Sequence, residues 1–215
     1  MTEPGFEERV RQALAAFPVA AHFPAPYLTF IVADNDAPAD RLEPALAATV
    51  DALAAAGIPE TRIDIMLGSV AGDVTPANRT PAVEGLRVGR HIWVELHNAQ
   101  SWGFTAGRLP DGTPVELNDE LREAEAIVVV GPVAPGASGP VGGVAHLVPG
   151  VATAATRLAF ERARAQGARA AWDFARAAEA LAPVNLALCW DAAGHVAVGR
   201  GADIFAAQAR AAGCP

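Results

Sequence analysis

The chain contains no lysine: all sixteen of its positive charges are arginine. That excludes a P-loop lysine, a Schiff base and any lysine-tethered cofactor. It has only two cysteines, Cys189 in an apolar strand-like run and Cys214 beside the C-terminus. Their separation makes neither a metal site nor a disulfide framework. No uncharged apolar run is long enough to cross a bilayer, and the opening MTEPGFEERVRQALAAF carries acids where a signal peptide carries bases. The expectation is a soluble, cytoplasmic protein with no membrane partner. A basic excess is missing too: the formal charge of -8 and pI near 5.1 leave no dense positive face, so no nucleic-acid partner is expected. No two of the five histidines have a helical metal-ligand spacing. Repeats, low-complexity tails and linkers are likewise missing, so residues 1–215 are expected to form a single domain.

What is present alternates between two periodicities. Residues 6–17 put Val10, Leu14 and Phe17 on one helical stripe, and YLTFIVAD (27–34) is a branched and aromatic run bounded by prolines. Residues 38–56 carry Leu42, Leu46, Val50 and Leu53 at helical spacing and stop at Gly57. RIDIMLG (62–68) completes a β-α-β unit whose strands should be parallel. After a weakly patterned stretch, HIWVELHN (91–98) predicts a third strand, and Pro110-Asp111-Gly112 a hairpin turn. DELREAEA predicts a short acidic helix before AIVVV, the most apolar strand. Helices at about 151–165 and 168–181, strands at 184–190 and 195–199 and a last helix from Asp203 follow. The fold class is α/β: a Rossmann-like open, mostly parallel sheet flanked by helices, with a small hairpin.

Ligands of such sheets sit at the carboxyl ends of the strands. The segments leaving those ends are ADNDAP (33–38), GSVAGD (68–73), HNAQSW (97–102) and GPVAPGASGPVGGVAHLVPG (131–150), the last with six glycines and four prolines.

Taken together these segments resemble the N-terminal domain of the nickel-dependent lactate racemases, over roughly residues 25–210. FIVADNDAP matches that family's strand and Asp-x-Thr-Arg-Pro, and AAAGIPETRIDIMLGS its Ala-Gly-(Val/Ile)-Pro…Gly-Thr-His-Arg region. VELHNA is similar to its Asn-His-Asp-Ala, DGTPVELNDELREAEAIVVVG to its Gly-Thr-Pro-Val and strand, and LALCWDAAGHVAVGRGAD to its closing segment. GPVAPGASGPVGGVAHLVPGVA matches its Gly-x-x-x-Pro-His…Ser-Gly-Gly…Lys…Pro-Gly loop. The resemblance implies a cleft that holds a nickel-pincer nucleotide, with a loop lysine as tether, one histidine on the nickel, two histidines as acid and base and an arginine orienting a hydroxy acid.

Residue by residue, this chain departs from that chemistry. The arginine position is Ala37, the histidine of Gly-Thr-His-Arg is Val70, and that of Pro-His is Gly136. Counting back from Pro149-Gly150 puts the lysine position at Ala145; counting forward puts the nickel histidine at Glu161. With tether, ligand and bases all replaced, the nickel-pincer nucleotide is not expected, and neither is racemisation. The family's second domain, which closes the other wall of the cleft, is not expected in these 215 residues either.

The surviving candidates each have a plainer explanation. Asp34 could bind a ligand, but Asp34 or Asp36 is expected to cap the helix at Pro38. His146 is an ordinary loop histidine on the simpler reading, His97 holds the turn after its strand, and Glu161 belongs to a solvated helix face. The ligand-binding candidates are Asp34, Gly68, Ser69, Pro135, Gly142, Gly143 and Gly150, the glycines forming an anion-binding nest or simply a sharply turning backbone. Three functions follow: a small anionic or nucleotide-like ligand at the loop without racemase activity; an interaction module pairing with itself or a full-length homologue; and an isomerase-like enzyme of altered chemistry using Asp34, His146 and Glu161.

Overall fold

The computed structural model describes residues 4–23, 28–134, 136, 139 and 141–211. Its centre is a sheet in which β1 (Thr29–Asp34) lies between β2 (Ile63–Gly68) and β6 (Ala126–Ala134). Outside β2 stands β3 (Trp93–Leu96); outside β6 come β8 (Leu186–Trp190) and then β9 (Val196–Gly199). All of these run parallel except β9, which returns antiparallel along β8. The expected hairpin forms a separate two-stranded sheet from β4 (Gly103–Arg108) and β5 (Pro114–Asn118).

The central strands are apolar without alternation because both faces are covered. On one face Ile31, Ala33, Ile65, Leu67, Val128 and Val130 meet α3 (Ala39–Ala55) and α1 (Phe6–Ala16) through Leu42, Leu46, Leu53, Val10 and Leu14. On the other, Phe30, Val32, Met66 and Val129 pack with Phe160 of α5 (Ala154–Ala165) and with Trp172 and Phe174 of α6 (Ala168–Leu181). Each fully buried Leu, Ile or Phe on these faces contributes about 1.5–3 kcal/mol relative to exposure, so the two layers, not any surface pair, hold the sheet. Cys189 lies within β8, and burial pushes its thiol up to about 12. No described helix is long and apolar enough to cross a membrane.

Three expectations need correction. The strand expected to end at Val130 continues through Gly131-Pro132-Val133-Ala134, because β8 flanks it at Gly131 and Pro132 and the two-residue β7 (Val141–Gly142) pairs back on Val133 and Ala134. Proline fits there because Pro132 lies beyond the last residue paired with β1. The acidic helix is instead a 3-10 turn, Asp119–Glu123, capped by Asn118 Oδ1, which accepts from the Glu120 N–H at 3.0 Å. Finally, neither Asp34 nor Asp36 caps α3, whose N-cap is Pro38 with no side-chain bond. Both carboxylates are engaged elsewhere, with consequences for the site.

Candidate functional site

The carboxyl ends of β1, β2, β6 and β8 open onto a cavity of about 550 Å³, within the range of small-molecule sites. Asp34 ends β1 and lines it. Its Oδ1 accepts the Asp36 N–H at 3.0 Å, a tight side-chain turn that substitutes for the expected cap. Asp36, also lining, has its Oδ2 fixed by the Ser69 hydroxyl at 2.5 Å, and Ser69 Oγ in turn accepts the Ala71 and Gly72 N–H groups at 3.0 and 3.2 Å. The intervening Asn35 is buried and ties down the next loop, donating to Asn78 O and accepting from the Thr80 N–H.

Behind Asp34 stands His146, with a side chain only 2% exposed. Its Nε2 donates to Pro132 O at 3.1 Å, and since a carbonyl only accepts, that nitrogen carries the proton. Its Nδ1 faces Asp34 Oδ2 at 3.9 Å, too far for a direct hydrogen bond. Room for this pair comes from Gly131: a Cβ there would lie 2.4 Å from His146 Nε2 and 3.1 Å from Asp34 Cβ. The sequence places Asp34 and His146 far apart, and the sheet brings them together. Glu161 is not part of the group; it is exposed on α5 and paired with Arg164 at 3.2 Å.

The glycines divide in the same way. Gly68 is required because a Cβ would meet Val151 Cγ1 at 2.6 Å and Gly150 O at 2.8 Å, and Gly150 because one would meet His146 O at 2.2 Å. Both therefore serve close packing of the turn before α5 against β2. Gly142 lines the cavity at φ +71, where a side chain would strike Pro132 O; Gly143, at φ +55, backs onto Gln208. The N-terminus of α5 is occupied by the protein itself, the Ala154 N–H going to Ala99 O and the Thr156 N–H to Thr153 Oγ1. Pro135 lies outside the described residues.

Arg157 carries no signal in the sequence, and His97 has a different role from the one expected of it. Arg157, on α5, sends its guanidinium inward to the carbonyls of Ser69, Gly72, Pro149 and Gly150 at 3.0–3.2 Å and pairs with Asp73 at 3.6 Å. One side chain thus fastens the loop after β2 to the turn before α5. His97 does not hold the turn after β3; Asn98 does, accepting from the Gln100 N–H at 2.8 Å. The buried His97 ring instead bridges Ala152 O and the Asn118 amide, each at 3.0 Å. Burial, helped by the charge of Arg157, pushes it down to about 4, so it is neutral at pH 7. No trace of either role is visible locally, because the partners come from distant segments.

The far wall of the cavity carries two arginines, apolar groups and Asp191, whose carboxylate is engaged by His195. Arg41 and Arg164 line it together with Phe160, Trp190 and Val133. Arg41 donates to the carbonyls of Asp191 and Ala192 at 3.2–3.3 Å and lies over the Phe6 ring. Among the described residues no three histidine, cysteine or acidic side chains converge to hold a metal ion.

Comparison with known proteins agrees with this fold. A family model described as the lactate racemase N-terminal domain matches residues 9–172. Among solved structures, the lactate racemase apoprotein from Thermoanaerobacterium thermosaccharolyticum superposes with a TM-score of 0.70 at 16% identity, over 96% of this chain and 54% of that one. The chain thus spans about half the length of that relative, and the likeness shows the shared fold. Comparison with curated protein sequences returned no match.

Proposed function

Since the chain belongs to the lactate racemase N-terminal domain family, we propose that it is a ligand-binding member without racemase activity, which takes a small anionic or nucleotide-like molecule in the cavity above Asp34. The observation that carries this reading is the cavity itself, rimmed by Arg41 and Arg164 at the sheet end where α/β proteins bind ligands. Cations there suit an anionic group.

The family's nickel-pincer nucleotide does not fit the residues present. The position matched to its tethering lysine, Ala145, is fully buried with no side chain that could carry a bond to a cofactor. The position matched to its nickel ligand, Glu161, points to solvent in an ion pair, and Val70 and Gly136, matched to the acid and base, cannot move a proton. Asp34, which lines the cavity, keeps His146 behind it at 3.9 Å, and at the opposite rim Asp191 holds the exposed His195 at 2.8 Å. Glu161 contributes nothing to them, which weakens the altered-enzyme reading.

A second reading, docking of another chain over the cavity, is favoured by exposed apolar groups on this face. Trp102, in the segment leaving β3, is 88% exposed, and Val70 and Val141 at the cavity wall are exposed as well. A homologue or a second copy of this chain would cover them.

Native mass spectrometry with metal analysis of protein from its own host distinguishes these readings. A bound small molecule supports the first, and a clean apo mass with an added subunit supports the second. Supplied with the assembled nickel cofactor, the protein should not interconvert lactate enantiomers above a no-protein control; measurable racemisation would overturn the proposal.

A further inference from the structure

The cavity holds charges of both signs that do not neutralise one another. Asp34 and Asp36 line the side above β1, while Arg41 of α3 and Arg164 of α5 reach the cavity from the two faces of the sheet; Asp191, the third lining acid, is taken by His195, and no arginine side chain pairs with Asp34 or Asp36 among the described residues. The contacts that hold Arg41 are carbonyl oxygens and a ring face, which position the guanidinium without cancelling its charge. Arg164 has only the exposed Glu161, and such surface pairs exchange readily for a better partner. Phe160, Trp190 and Val133 supply apolar wall.

The acidic side keeps free acceptors, Asp34 being half-buried and Asp36 exposed. Asp34 Oδ1 and Asp36 Oδ2 are occupied by the Asp36 N–H and the Ser69 hydroxyl, so the two carboxylates are held in place. Their other oxygens accept no hydrogen bond from the described residues. His146 is more than nine-tenths buried, and its Nδ1 likewise lacks a hydrogen-bond partner while aiming at Asp34 Oδ2 from 3.9 Å. The acceptors the cavity itself offers are the free oxygens of Asp34 and Asp36; a group with several N–H donors satisfies both, and a hydroxyl, with one, does not.

From this we propose that the ligand is a zwitterion, a small aminocarboxylate whose ammonium group sits at Asp34 and Asp36 and whose carboxylate sits at Arg41 and Arg164. This rests on the ligand-binding reading above and narrows its anionic ligand to one that also carries a cation. Fixed opposite charges across an apolar gap select for charge separation as well as charge, and each charge-assisted contact is worth about tenfold or more in affinity.

The test is calorimetric titration of the intact protein with three matched sets: α- and ω-amino acids of increasing length, straight-chain carboxylates and straight-chain amines. At least one amino acid should bind about tenfold more tightly than the carboxylate and the amine of the same length. Asp34→Asn keeps the acceptor for the Asp36 N–H, so folding is retained; it should abolish the preference for the amino acid over the carboxylate. Arg164→Gln should abolish the preference over the amine. Carboxylates binding as tightly as amino acids, or an Asp34→Asn protein with unchanged preference, would overturn the assignment and leave the ligand-binding reading standing. Failure of every compound together with a clean apo mass from the native host would overturn both.

Discussion

Placing an alanine at 131 tests the junction on which the cavity floor depends. Its Cβ would lie 2.4 Å from His146 Nε2, 2.8 Å from Cε1 and 3.1 Å from Asp34 Cβ. The imidazole has nowhere to retreat, being buried against β6, so it must leave its hydrogen bond to Pro132 O. Overpacking of this kind costs about 1–3 kcal/mol. Losing a buried hydrogen bond adds about 1 kcal/mol. Gly131→Ala should therefore destabilise the protein by about 2–4 kcal/mol, lowering a urea midpoint by roughly 1–2 M for a slope near 2 kcal/mol per M. In a His146→Ala background the added methyl enters vacated space, and the same substitution should cost less than about 1 kcal/mol, the difference measuring the coupling of the two positions. A neutral Gly131→Ala, or an equal cost in both backgrounds, would refute the placement of His146 against the strand.

Two further predictions concern the supports of the site. For His97, the folded value of about 4 lies below the ordinary 6.5, so between those limits the unfolded chain binds more protons. Its contribution to stability is complete above pH 6.5 and is lost as pH falls toward 4, to a ceiling of roughly 3 kcal/mol. Urea midpoints at pH 7.5 and 4.5 should show a smaller acid-induced drop for His97→Gln than for the native protein, and equal drops would contradict the assignment. Arg157→Met removes the donor shared by four carbonyls and should cost about 2–4 kcal/mol. Hydrogen exchange should quicken at Ala71, Gly72, Gly150 and Val151; exchange raised evenly over the whole chain would instead indicate a global effect.

The layered sheet was legible because its inner strands are continuous apolar runs, and α3 because its stripe ends at Gly57 with Ile58 buried beyond. Legible too was the end of the sheet where a site belongs, since parallel strands send their loops to one side. Gly131-Pro132 looks in sequence like the start of a loop. Its glycine and proline are local breakers, while the reasons they sit in a strand are His146 and β8, both remote in sequence. Arg157 resembled any arginine on a helix with a charged face, yet two of the carbonyls it binds lie in the loop after β2. The family motif located Asp34, Gly68 and Gly150; geometry alone separates the glycines required for packing from the aspartate that faces open space.

The strand order also has a consequence for how the chain is made. β1 is paired on one side with β2, which follows it directly, and on the other with β6, whose Ala126 lies opposite Thr29 only after an edge strand and a hairpin have intervened. On a ribosome moving at roughly 5–20 residues per second, the open flank of β1 waits several seconds for its partner. During that interval an apolar strand edge is available to any neighbour. The first half of this protein is thus the stretch most in need of a chaperone, and the appearance of β6 marks the end of that exposure.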